Sequence, residues 1–123
     1  AQITVYIDGL AASMASAVAM AGDLIIMPDN ALMMIHKPWN MTVGDAEEMR
    51  KTADVLDVFE QSLLKIYMEK TGLPQDKLEE MLAEETWLTA AECLELGFID
   101  EISEPVKAAA SIDLQNFILS IKF

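Results

Sequence analysis

Residues 45–71 carry an apolar stripe at three- and four-residue steps, formed by Met49, Ala53, Leu56, Phe59 or Glu60, Leu63 and Tyr67. Gly72 stops it. The spacing predicts one continuous helix. About 27 residues at 1.5 Å each would make it about 40 Å long. That is long for a chain of 123 residues. Part of such a helix can project and pack on another subunit; a plain core helix is the competing reading.

Shorter elements surround it. Residues 3–7 are β-branched and aromatic and predict a strand. Asp8 and Gly9 supply a turn, and residues 10–21, rich in Ala and Met, read as a helix with Gly22 as its stop signal. Residues 24–27 predict a second strand, closed by Pro28, Asp29 and Asn30. Residues 31–36 predict a third, apolar enough to be buried on both faces. Pro74 opens a helix through Ala83, and residues 84–88 form an extended link. Thr89 to Glu92 has the form of a capping box, Gly97 closes the short helix it starts, and residues 98–102 predict a last strand. Residues 114–121 have helical spacing but no evident place. Strands alternating with helices imply one α/β domain over residues 1–123. The chain opens inside an expected strand, without an initiator Met, and its first residues show no basic n-region followed by an apolar h-region. The expectation is that an N-terminal portion of a longer polypeptide precedes it.

Composition removes several function classes. Twenty-one acidic residues face 8 basic ones, for a net charge of −13. That argues against nucleic acid and anionic membrane as partners, since phosphate binding needs clustered Lys and Arg. No run of about 18 apolar residues exists to span a bilayer. Cys93 is the sole cysteine, so no internal disulfide forms, and a reducing compartment such as the cytoplasm fits. One His and one Cys argue against a zinc site, and the five glycines form no phosphate-binding loop. No cofactor or metal is expected.

The chemistry concentrates in the run GLAASMAS, residues 9–16. Small side chains leave room for a substrate backbone, and Ser13 falls in the opening turn of the expected helix. Helix-opening N–H groups lack intrahelical partners, so the Met14 N–H could face an oxyanion while the Ser13 hydroxyl attacks a carbonyl. Ser16, one turn on, is the rival nucleophile. Equally, both hydroxyls could simply bond to helix carbonyls. His36 is the sole histidine, so any imidazole base is this residue. Spacing alone leaves the choice of a partner carboxylate open.

Three segments together resemble the Clp peptidase (ClpP) family. GLAASMAS with residues 19–22 resembles its nucleophile segment. Pro28 through Pro38, containing Asn30, Met33, Met34 and His36, resembles its histidine segment. Trp87-Leu88-Thr89-Ala90, Glu92, Gly97 and Asp100 resemble a third signature. The resemblance covers residues 3–102, and its flavour is that of ClpP-like proteases encoded near phage capsid genes.

The resemblance implies the spiral α/β fold shared by ClpP and crotonases, with residues 45–71 as the handle helix through which two rings meet. It implies a serine endopeptidase inside an oligomeric chamber, acting in phage head maturation or general degradation, on polypeptide substrates, with an AAA+ unfoldase as a candidate partner. Ser13 matches the nucleophile, His36 the general base, and Met14 an oxyanion N–H donor. Ser16 falls on a non-catalytic small position. The family's acid, usually Asp, matches Glu85, a departure in residue type, with Glu84 as the fallback. Pro38, Trp39, Asn40 and Met41 match the arm lining the substrate groove. The family's other oxyanion donor comes from a glycine pair upstream, which would fall before Ala1. A crotonase-like acyl-CoA enzyme and an inactive ring scaffold are the alternatives; the first has no need of a Ser–His pair.

Overall fold

A computed structural model describes residues 1–105 and the backbone of residues 119–122. It is a mixed α/β fold with two sheets. In chain order the elements are β1 (Thr4–Ile7), β2 (Leu10–Ala12), α1 (Met14–Ala19), β3 (Leu24–Pro28), β4 (Leu32–Ile35), α2 (Ala46–Thr71), α3 (Gln75–Ala83), β5 (Thr86–Thr89), α4 (Ala90–Leu96), β6 (Glu101–Ser103) and β7 (Leu119–Lys122).

One sheet has the order β6-β3-β1-β7, with β1, β3 and β6 parallel and β7 antiparallel to β1. The second has the order β2-β4-β5, with β2 and β4 parallel and β5 antiparallel to β4. Val5, Ile7, Ile25, Met27, Met33 and Ile35 are fully buried on these strands and share one core with Leu64, Tyr67 and Leu78 from the helices and with Phe98 from the segment after α4. Burying each such side chain contributes about 1.5–3 kcal/mol.

The expected helix over residues 10–21 is not one helix. Residues 10–12 instead form β2, paired Leu10↔Leu32, Ala11↔Met33 and Ala12↔Met34, and only Met14–Ala19 is helical. The intrinsic helix preference of alanine is weak and yields to the ladder with β4 and the full burial of Ala11. Gly22 is therefore not the residue that ends α1, whose C-cap is Met20 at φ −65°. It is needed for contact: a Cβ there would lie 2.5 Å from Val5 Cγ2.

The last strand is β6, Glu101–Ser103, rather than residues 98–102. Phe98 and Ile99 are buried as plugs before it. Asp100 clips the junction: its Oδ2 accepts from the Ile25 N–H at 2.8 Å and its Oδ1 from Lys70 Nζ at 2.7 Å. The helical spacing noted over residues 114–121 is overruled where the backbone is described, since Leu119–Lys122 pair with β1 as a strand. Residues 114–118 lie outside the described residues.

The long helix forms as expected, over 26 residues. Asp45 caps it by accepting from the Glu48 N–H at 3.0 Å, and Gly72, at φ 73°, ends it in the left-handed region. Its two halves differ. Leu63, Leu64 and Tyr67 near its C-terminus are buried, while Met49, Val55, Val58 and Phe59 are exposed. The capping box at Thr89 and Glu92 is present in full, with Gly97 at φ 90° closing α4.

Candidate active site

Ser13 and His36 follow neighbouring parallel strands. In register, β2 sets Ala12 beside Met34, and the Ser13 N–H donates to the Met34 carbonyl at 2.9 Å. One residue after β4 ends, His36 emerges half-buried beside the half-buried Ser13. Its Nε2 lies 2.9 Å from Ser13 Oγ. The C-terminal ends of adjacent parallel strands are where α/β sheets place reactive groups.

Ser13 sits on a sharp strand-to-helix turn at φ 58°, ψ −123°. A non-glycine residue there is strained, and the surrounding structure must hold it. Two contacts do so on the backbone side: the bond to Met34 and the Ser16 N–H donating to the Ser13 carbonyl at 3.1 Å. The Ser13 side chain does not cap α1; it faces His36. Met14 is the first residue of α1, where N–H groups lack intrahelical acceptors.

The two serines thus divide the roles left open by spacing. Ser16 is fully buried; its hydroxyl donates to the Ser13 carbonyl and meets Tyr67 Oη at 2.7 Å. That is the back-bonded arrangement, and it takes Ser16 away from any ligand. Ser13 alone presents its hydroxyl to an imidazole.

Three elements hold the histidine segment. Ile35 pairs with Thr86 of β5, the Lys37 N–H donates to the Leu82 carbonyl of α3 at 3.1 Å, and Lys37 Nζ lies 3.2 Å from the Glu60 carboxylate of α2. The antiparallel ladder ends at Ile35↔Thr86, so Glu85 and His36 are each the next residue beyond the paired end. Glu85 is exposed, at φ 54°, and among the described residues no hydrogen bond joins its carboxylate to His36. Among the described residues, Ser13 and Glu85 are the only non-glycine residues at positive φ. Glu84 ends α3 at an ordinary φ of −86°.

A groove of about 430 Å³ is lined by Met14, Pro38, Trp39 and Asn40, chain neighbours of Ser13 and His36, and by Lys51, Thr52, Val55, Leu56 and Phe59 of α2. Met41 does not line it and is 82% exposed. Sequence alone identifies the arm but not the helical wall, of which Leu56 and Phe59 fall in the apolar stripe and Val55 beside it. Lys51 at the rim is held by Glu47 and Glu48 at 3.7 and 3.8 Å. Cys93 lies away from this chemistry, fully buried. Burial, with a smaller push from the Glu92 carboxylate, raises its thiol to about 12, which leaves it protonated and inert. No group of three His, Cys, Asp or Glu among the described residues could hold a metal ion, and no described helix is long and apolar enough to cross a membrane.

Comparison with known proteins gives a consistent picture. The ATP-dependent Clp protease proteolytic subunit 1 of Mycobacterium tuberculosis is 32% identical over 103 residues, covering 81% of this chain and 51% of that protein. The ATP-dependent Clp protease proteolytic subunit of Streptococcus pneumoniae is 35% identical over 106 residues, covering 83% of this chain and 54% of that protein. The chain spans about half the length of the curated relatives it matches. The family model described as Clp protease matches residues 1–106, and the chain belongs to the Clp protease family.

Proposed function

We propose that the protein is a serine endopeptidase in which Ser13 is the nucleophile and His36 the general base. The observation that carries this reading is the 2.9 Å contact between Ser13 Oγ and His36 Nε2, made by a serine on a strained turn. Ser13 Oγ attacks a peptide carbonyl while its proton passes to His36 Nε2. The oxygen becomes an oxyanion facing the Met14 N–H. The intermediate collapses to an acyl-enzyme as His36 protonates the leaving amine. Water, losing a proton to the same imidazole, then releases the acid and restores the serine.

Glu85 is the proposed acid, orienting the imidazole and stabilising its positive charge. Its position next to the paired end of β5 and its strained backbone both favour it over Glu84. In the groove that Met14 helps to line, Pro38, Trp39 and Asn40 receive the substrate chain. Its walls are largely apolar, which fits apolar side chains on the peptide.

The exposed apolar half of α2 supports a self-associating protein, with rings meeting through this helix and enclosing a chamber. Both relatives are named as ATP-dependent, and an ATP-driven unfoldase is the partner proposed on that ground. A cytoplasmic setting accords with the buried, unpaired Cys93.

The test is cleavage of a fluorogenic apolar peptide by the intact assembled protein beside its Ser13→Ala variant. The variant is expected to be slower by about 10³-fold or more. Equal turnover would overturn the nucleophile assignment.

A further inference from the structure

The Ser13 carbonyl and the Met14 N–H belong to one planar trans peptide unit, so they point in opposite directions. Whatever fixes the carbonyl therefore aims the N–H. The carbonyl accepts from Ser16 twice, through the backbone N–H and through the hydroxyl. A serine hydroxyl has one proton to give. Since Ser16 gives its proton to the Ser13 carbonyl, the 2.7 Å contact with Tyr67 has the phenol O–H as donor and Ser16 Oγ as acceptor. A directed chain results: Tyr67 to Ser16 to the Ser13–Met14 peptide.

We propose that Tyr67 is a positioning residue for the reaction, acting through Ser16 to aim the Met14 N–H and hold the Ser13 turn. This rests on the reading of Ser13 as the nucleophile and deepens it, since it assigns work to a side chain that touches no substrate. Every member of the chain behind the nucleophile is enclosed: Ser16 is fully buried and Tyr67 is 1% exposed. The phenol is itself held in place, its ring edge-on to Phe98 at 5.7 Å and 66°. Burial raises the phenol pKa above its ordinary value, so the hydroxyl keeps the proton that it donates.

Two further consequences follow from the chemistry of the chain. Donation into the Ser13 carbonyl polarises the shared peptide and makes the Met14 N–H a better donor. The relay also crosses 51 residues of sequence, tying the turn to α2 rather than to its own short helix. Six residues of α1 alone are a weak mount for a strained backbone.

Tyr67→Phe tests this, since it keeps the ring and removes only the hydroxyl. Peptide turnover is measured per active site, titrated with a fluorophosphonate, together with the rate of fluorophosphonate inactivation. The expected result is a fall in kcat on the order of 10-fold with KM within about twofold, and a parallel fall in inactivation rate. Ser16→Ala is expected to do the same, and the double variant to be no worse than the slower single one. Wild-type kcat per titrated site in Tyr67→Phe, with loss confined to melting temperature, would overturn the positioning role while leaving the nucleophile assignment intact. A wild-type protein that neither cleaves nor labels would remove the nucleophile assignment and the relay with it.

Discussion

Ser13 and His36 meet 2.9 Å apart because the strands that precede them, β2 and β4, run parallel and in register. Each is delivered by the end of a ladder rather than by a loose loop, so the geometry is set before substrate arrives. Groups that act as one unit lose function together. Ser13→Ala and His36→Ala are each expected to reduce kcat/KM by about 10³-fold or more, and the double variant by no more than the worse single one. Steady-state kinetics on the three variants checks this; additive losses would mean that the two side chains act independently.

Glu85 directly precedes Thr86, the residue of β5 that pairs with Ile35 next to His36. Glu85→Gln keeps the size and removes the charge, and is expected to lower kcat by about 10²- to 10⁴-fold with little change in stability. Glu84→Gln, at the end of α3, is expected to remain within about twofold of wild type. Reversal of these two outcomes would move the acid to Glu84, and full activity in both would leave a Ser–His dyad.

The halves of α2 make opposite predictions. Leu64, 2% exposed, is part of the core, and Leu64→Ala is expected to cost about 2–5 kcal/mol in denaturant titration. Val58, 68% exposed on the other half, is expected to matter for assembly instead. Val58→Asp should shift sedimentation from the assembled form towards smaller species while the circular dichroism spectrum stays unchanged. An unaltered assembly would take the ring contact away from this face.

Two glycines that end helices differ in what surrounds them. Gly72 and Gly97 both have positive φ, so alanine at either is strained by about 1–2 kcal/mol. At Gly72 an added Cβ meets open space, whereas at Gly97 it would lie 3.1 Å from the Thr71 carbonyl oxygen and 3.2 Å from Thr71 Cα. Gly97→Ala is therefore expected to be the more destabilising of the two in thermal melts. Equal losses would show that the contact with Thr71 relaxes freely.

Much of this arrangement is legible in the residues themselves. Periodicity locates α2, the capping box locates α4, and the β-branched runs locate β1 and β3. Three ordered segments bring Ser13, His36 and the Glu85 position to notice. Local preference fails at Leu10–Ala12, where a sequence suited to a helix becomes a strand because β4 offers it a ladder. It also fails at β6, where buried Phe98 and Ile99 look like strand residues yet serve as plugs. The positive φ at Ser13 and Glu85 has no local signal, since neither is glycine; only tertiary contacts impose it. The pairing of Ser16 with Tyr67 is invisible for the same reason, lying 51 residues apart.

The proposed chemistry rests on one hydroxyl, at position 13, activated by the imidazole at position 36. Mass-spectrometric mapping of a fluorophosphonate adduct on the intact protein tests it most directly. The expected result is a single adduct on Ser13 that disappears in His36→Ala. An adduct on Ser16, or labelling of Ser13 at the wild-type rate without His36, would contradict it.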